Sequence, residues 1–428
     1  MKCSSLLLFA VFFSLFTAAQ APYPLVKIDE GPAFGGPNEP SIAISLKDTQ
    51  IIAAGSNVNN SYFSHDGGKT WEKQTLTSKY GVWGDPCLVP TEKGRFFFFH
   101  LSDPEGTNWA SERLLDRIVC QRSNRKATRW SKGAAMGENH PKDQDKEWAA
   151  VNSDNGEVYA TWTQFDKYNS ENPNDKSNIL FSVANKRGKR WSQPQRINQY
   201  SGNCLDNDST AEGAQPAVGP NGEIYVAWSF DESIYFDYSL DGGKSWLDED
   251  IVVSAQPGGW KQDIKGIMRA NGMPVIACDR SGGENHGTIY LNWTDQRNGK
   301  ENIDVFVAKS IDGGKTWSVP TRVNTDDTQR QQFLTWMTID QSTGYLYCVF
   351  YDRRNHVDTH TDVFLAVSKN GGKTWTNEQL NDKPFKPLPL VFFGDYNNIA
   401  AVNGKVMPIW TELHNGKLSI WTALINAQ

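Results

Sequence analysis

The chain has 428 residues, with 43 Lys+Arg against 49 Asp+Glu and a formal net charge of −6. That length supports a large buried core, and a mildly acidic balance without a basic block excludes a nucleic-acid-binding surface. Beyond its first residues the chain has no run long and apolar enough to span a bilayer.

Residues 1–19 read as a secretory signal peptide: Lys2 is the charged start, residues 6–16 the apolar run, and Thr17-Ala-Ala19 the small residues before a cut ahead of Gln20. The remaining chain, residues 20–428, is expected to be one secreted or periplasmic domain. Its cysteines, Cys87, Cys120, Cys204, Cys278 and Cys348, are odd in number and lack metal-ligand spacing, so they read as buried small hydrophobes.

In chain order, residues 24–28 form a first apolar strand, followed by seven openings of a common kind at 40–44, 86–89, 148–151, 216–218, 274–277, 336–339 and 396–400. Each is strand A of a unit. A Gly-containing turn such as Asn155-Gly156 or Asn221-Gly222 leads into strand B, at 158–162, 224–228, 289–293 and 346–350, where Trp162, Trp228, Trp293 and Trp410 share one position. Strand C follows at 304–308 and 362–366. Then comes a repeated octapeptide: Ser64-His-Asp-Gly-Gly-Lys-Thr-Trp71, Ser239-Leu-Asp-Gly-Gly-Lys-Ser-Trp246, Ser310-Ile-Asp-Gly-Gly-Lys-Thr-Trp317 and Ser368-Lys-Asn-Gly-Gly-Lys-Thr-Trp375. Decayed copies end at Trp130 and Trp191, so the six tryptophans lie 59, 61, 55, 71 and 58 residues apart. A period near 60 fits a four-stranded propeller blade. The last unit supplies A, B and a strand at 418–423 but no fourth, so residues 24–28 are expected to complete it. The fold expected is all-β, a seven-bladed β-propeller closed by the N-terminal strand, with six blades as the alternative.

The octapeptide resembles the Asp box, or BNR repeat, of the sialidase superfamily. The sialidases in that comparison have six blades, whereas the strand count here gives seven. Chain direction alternates along a blade, so the Asp boxes share a face with the A–B turns. Their aspartates read as turn-builders, with glycines for positive φ and the tryptophan packing between blades. The opposite mouth receives the starts of the A strands and the ends of the B strands. It collects Glu39, Asp85, Glu147, Glu212 and Asp395 from the former, and His100, Asp295, Arg297, Asp352, Arg353, Arg354 and Glu412 from the latter.

The resemblance implies a glycoside hydrolase acting on glycans, with arginines gripping a substrate carboxylate, an acid/base, and a tyrosine nucleophile helped by a glutamate. Within Phe393-Gly-Asp-Tyr-Asn397, Tyr396 is the matching nucleophile; Glu39 or Asp85 is the acid/base, and Glu147 or Glu212 the partner of the tyrosine. Arg297, Arg353 and Arg354 would supply the cations, Arg269 a further one, and Asp295, Asp352, Asp395 and His100 further substrate contacts. The early Phe/Tyr-Arg-Ile-Pro motif of the superfamily is absent, the first A strand being preceded by Asn38-Glu-Pro40, and Arg280 falls on the Asp-box face.

Other readings stand beside this one. The repeated Asp-x-Arg-Asn of Asp295–Asn298 and Asp352–Asn355 also suits ion pairs that brace long B–C loops. Glu39, Asp85, Glu147 and Asp395 also suit Ca²⁺ as oxygen ligands, the one cofactor considered. A non-catalytic propeller binding glycan or protein is one alternative. A polysaccharide lyase with His100, Tyr396 and the arginines as base, acid and carboxylate neutraliser is another. His356 and His360 have i, i+4 spacing but fall in a loop, which does not align them for zinc. The partner expected is a glycan or glycoconjugate, and the chain is expected to be a monomer.

Overall fold

The computed structural model describes residues 22–427; the expected signal segment lies outside them. Among the described residues the strands form seven antiparallel sheets, six of four strands and one of five. Each sheet is one blade, built in chain order from the inner strand A to the outer strand D. Blade 1, for example, runs Ser41–Ile44, Ile52–Ser56, Asn60–Ser64 and Glu72–Thr75. Blade 7 takes Asn398–Val402, Lys405–His414 and Lys417–Ala423 from one end of the chain and Leu25–Pro32 from the other. Leu25 pairs with Ala423 and Pro32 with Lys417, antiparallel. The ring therefore has seven blades rather than six and presents no open edge at the join.

The core sits between blades. Met407, Ile409 and Ile420 of blade 7 cluster with Ile42, Ile44 and Tyr62 of blade 1. Each such side chain contributes roughly 1.5–3 kcal/mol by leaving water. Trp162, Trp228, Trp293 and Trp410 are buried at their common B-strand position, and the five cysteines among the described residues are buried free thiols.

The Asp boxes are C–D turns. In the first, Ser64 Oγ donates to Asp66 Oδ1 at 2.8 Å, and Asp66 accepts from Thr70 N (3.0 Å) and Thr70 Oγ1 (2.6 Å). Asp241 and Asp312 repeat this pattern. The box tryptophans pack on the preceding blade, Trp246 edge-on to Phe181 at 5.0 Å and Trp317 to Phe236 at 5.1 Å. In the decayed copies, bridges Ser123–Trp130 and Ala184–Trp191 keep the turn closed.

Three A strands are longer than the sequence pattern indicates: Asp143–Val151, Glu212–Val218 and Gln332–Asp340. Each carries a register shift, between Asp145 and Trp148, Glu212 and Gln215, and Phe333 and Trp336. Inside each bulge one residue has positive φ: Lys146 (54°), Gly213 (75°) and Leu334 (48°). Blades 1, 2 and 7 place Glu39 (50°), Asp85 (51°) and Gly394 (89°) at the matching point. Six blades thus re-aim one residue where strand A starts, a conformation that non-glycine residues hold only under constraint. Two residues further on, Trp148, Trp336 and Tyr396 meet, with ring centroids 4.4, 5.1 and 6.1 Å apart. They come from blades 3, 6 and 7, so they meet on the ring axis and plug it.

Candidate functional site

Above this plug, on the mouth opposite the Asp boxes, lies a cavity of about 750 Å³. Below it a smaller one of about 260 Å³ lies among the A strands. The floor of the larger cavity is built by the re-aimed residues. Lys146 Nζ lies 3.0 Å from Asp85 Oδ2, 3.1 Å from Asp395 Oδ1 and 3.9 Å from Glu39 Oε1, so three blades converge on one buried ammonium. Asn57 bridges the first two blades, donating to the Glu39 carboxylate and accepting from Asp85 N at 2.8 Å.

The long connection from blade 4 to blade 5 adds a second cation. Arg269 Nη2 sits 2.5 Å from Asp395 Oδ2 and Nη1 3.2 Å from Asp206 Oδ2. Asp206, from the connection between blades 3 and 4, also accepts from Trp260 Nε1 at 2.6 Å and Tyr168 Oη at 3.0 Å. Aromatic side chains wall the space: Trp83, Trp109, Tyr168, Trp260 and Phe392.

Ionisation is divided unequally among these acids. Burial raises the Glu39 carboxyl well above its usual range, and Asp85 and Asp395 reinforce the shift. Burial pushes Asp145 up to about 7, against the pull of Lys146. Burial opposes ionisation at Asp395 too, but Arg269 and then Lys146 outweigh it and hold that carboxyl far below normal. In return, Asp395, Asp85 and Glu39 hold the Lys146 ammonium well above its usual value despite burial. Asp145 and Asp395 line one cavity with opposite proton affinities.

The sequence-derived residues divide sharply. Glu39, Asp85 and Asp395 line the cavity. Glu147 and Glu212 lie outside its lining, buried, with no hydrogen-bond partner for either carboxyl oxygen. Burial first, then Asp85 for Glu147 and Asp206 for Glu212, raises both well above the usual range and favours the neutral acid. Tyr396 belongs to the plug, with its hydroxyl buried and unpartnered. Burial, then Asp85, raises its phenol well above normal, which is the reverse of activation.

Arg297 and Arg354 do not reach the cavity. Arg297 Nε pairs with Asp295 Oδ1 at 2.9 Å and Arg354 Nε with Asp352 Oδ2 at 2.8 Å, bracing the B–C loops of blades 5 and 6. Arg353 is buried against Gln331 and Thr361, and burial lowers it to about 10. His100 is buried in strand B of blade 2 between Leu101 O and Gln121, and burial lowers it to about 4. Glu412 accepts from Trp410 Nε1 at 2.8 Å in the way Asp295 accepts from Trp293. Arg280 reaches Ser153 on the Asp-box face.

Lys146 stands among Glu39, Asp85 and Asp395, where the calcium reading would put the ion; a cluster already balanced by Lys146 and Arg269 does not fit Ca²⁺. Among the described residues no group of three or more His, Cys, Asp or Glu is arranged to hold a metal.

Sequence reasoning passed over Asp145, Lys146, Asp206, Tyr168 and Trp260. In Asp145-Lys-Glu-Trp148 the strand pattern points to Glu147, but the bulge makes Lys146 the counterpart of Glu39 and Asp85. Asp206 and Trp260 sit in irregular connections whose pattern carries no signal.

A family model described as the BNR/Asp-box repeat matches residues 62–73. No curated protein sequence gives a significant match to the chain. An ulvan lyase of polysaccharide lyase family PL25 is similar in structure, with 12% identity, a TM-score of 0.54, and 94% of this chain and 96% of that one covered. An α-L-arabinofuranosidase of Fusarium graminearum has 13% identity and a TM-score of 0.51, covering 95% and 98%. The NanB sialidase of Streptococcus pneumoniae has 10% identity and a TM-score of 0.51, covering 88% and 82%. At these identities the likeness is one of fold. Repeat and architecture together make the chain a divergent Asp-box propeller, sialidase-like in its fold. Among the described residues no helix is long and apolar enough to cross a membrane.

Proposed function

We propose that the chain is a glycoside hydrolase that takes the end of an uncharged glycan into the cavity opposite its Asp boxes. The observation that carries this is the opposed ionisation of Asp145, pushed up to about 7, and Asp395, held far below normal, at one aromatic-walled cavity. In the reaction, the Asp145 carboxyl gives its proton to the glycosidic oxygen. The bond from that oxygen to the anomeric carbon breaks, and the alcohol leaves. Asp85 and Asp395, ion-paired through Lys146, stabilise the positive charge that develops on the sugar. Water then adds to the anomeric carbon and returns a proton to Asp145.

The same geometry disfavours an anionic sugar. Both carboxylates nearest Arg269 already occupy its guanidinium, and Lys146 is already ion-paired to Asp85 and Asp395. A substrate carboxylate would find no open fork to grip.

A panel of chromogenic glycosides, run on the wild type and on Asp145→Asn, tests the reading. Turnover of at least one neutral glycoside is expected, with kcat/KM falling about 10²–10⁴-fold in the variant. Binding of a glycan array without turnover would replace the hydrolase with a binding propeller, and unchanged turnover in Asp145→Asn would remove Asp145 as the proton donor.

A further inference from the structure

The rim of the cavity differs from its floor. Thirteen large hydrophobic side chains are exposed among the described residues, and six of them, Phe34, Val58, Trp109, Leu205, Met268 and Leu390, line this one mouth. They come from six separate segments of chain, so the fold has gathered them. Leu390 is 79% exposed, Phe34 72%, Trp109 68% and Met268 58%. Trp109 is pre-positioned, stacked on Tyr168 at 6.3 Å and edge-on to Trp83 at 5.8 Å.

Flat aromatic rings stack on sugars, but leucine, methionine and valine offer neither a flat face nor a hydrogen bond to hydroxyl groups. They suit alkyl or aryl carbon. Resting on the hydrolase reading, we infer that the substrate is a glycoside with an apolar aglycone, its sugar on the carboxylate floor and its aglycone against the rim. The occupant is one soluble glycoside and not a bilayer. The apolar residues ring a concave mouth, and the floor carboxylates and net charge of −6 repel anionic headgroups.

The test uses Asp145→Asn to prevent turnover and compares methyl, octyl and 4-methylumbelliferyl glycosides of each sugar in the panel by calorimetric titration. Octyl and 4-methylumbelliferyl glycosides are expected to bind at least about tenfold more tightly than the methyl glycoside. Adding Phe34→Ser, Met268→Ser and Leu390→Ser should erase that ratio and leave methyl glycoside affinity within about twofold. All three side chains are solvent-exposed, and an unchanged thermal midpoint checks that the variant is folded. Equal affinity for the three glycosides, or a ratio that survives the rim substitutions, overturns the inference. Neither result touches the hydrolase reading, which falls on turnover by the wild type and by Asp145→Asn.

Discussion

At the scale of single residues the floor separates acids by what surrounds them. In the proposed hydrolysis Asp145 must hold its proton to act, so kcat/KM is expected to fall about tenfold per pH unit above about 7, read from a pH–rate profile. Asp395, ionised far into acid, sets no limb in the neutral range. Tyr396→Phe separates this chemistry from a tyrosine nucleophile. Hydrolysis should persist, and because the hydroxyl is buried without a partner, stability should rise by about 1 kcal/mol in a denaturant titration. Glu147 and Glu212 give a third prediction. Their folded values lie well above an unfolded value of about 4.3. In the window between, the native state holds protons that the unfolded state has released, so their contribution to stability is full below about pH 4 and is lost as pH rises. Glu212→Gln should therefore gain stability relative to the wild type as pH rises above about 4.3, and thermal midpoints across a pH series check the sign.

At the scale of elements the Asp-box turn and the bulged A strand behave oppositely toward sequence reading. The turn was legible because its chemistry is local: Ser, Asp, two glycines and Trp within eight positions close a loop by themselves. Gly243 shows how tight the turn is, with φ of 84° and Phe181 Cε1 only 2.2 Å from where a β-carbon would lie. Gly243→Ala is expected to destabilise by about 1–3 kcal/mol, measured by chemical denaturation. The bulge was not legible, because one inserted residue breaks the period of two on which strand reading depends. That single shift exchanged Lys146 for Glu147 at the floor, and with it a cation for an acid. The Asp-x-Arg-Asn loops were legible as a repeat but not as to role, since a brace and a substrate clamp use the same residues. Only the distances from Arg297 to Asp295 and from Arg354 to Asp352 separate the two.

At the scale of the whole molecule, blade number and ring closure followed from counting strands, because a missing fourth strand at one end and a spare strand at the other have one economical solution. The cavity did not follow. Arg269, Asp206 and Trp260 reach it from connections whose course depends on the completed ring. Closure should also govern unfolding. Removing residues 22–32 takes away the partner of Lys417–Ala423, and the expected result is a large loss of cooperative stability, seen as a lowered and broadened thermal transition. The aromatic plug of Trp148, Trp336 and Tyr396 has a kinetic consequence. It turns the axis of the ring into a blind alley, so no polymer can thread from face to face. A molecule that enters leaves by the way it came, and under the proposed hydrolysis each departing product stands in the doorway of the next arrival.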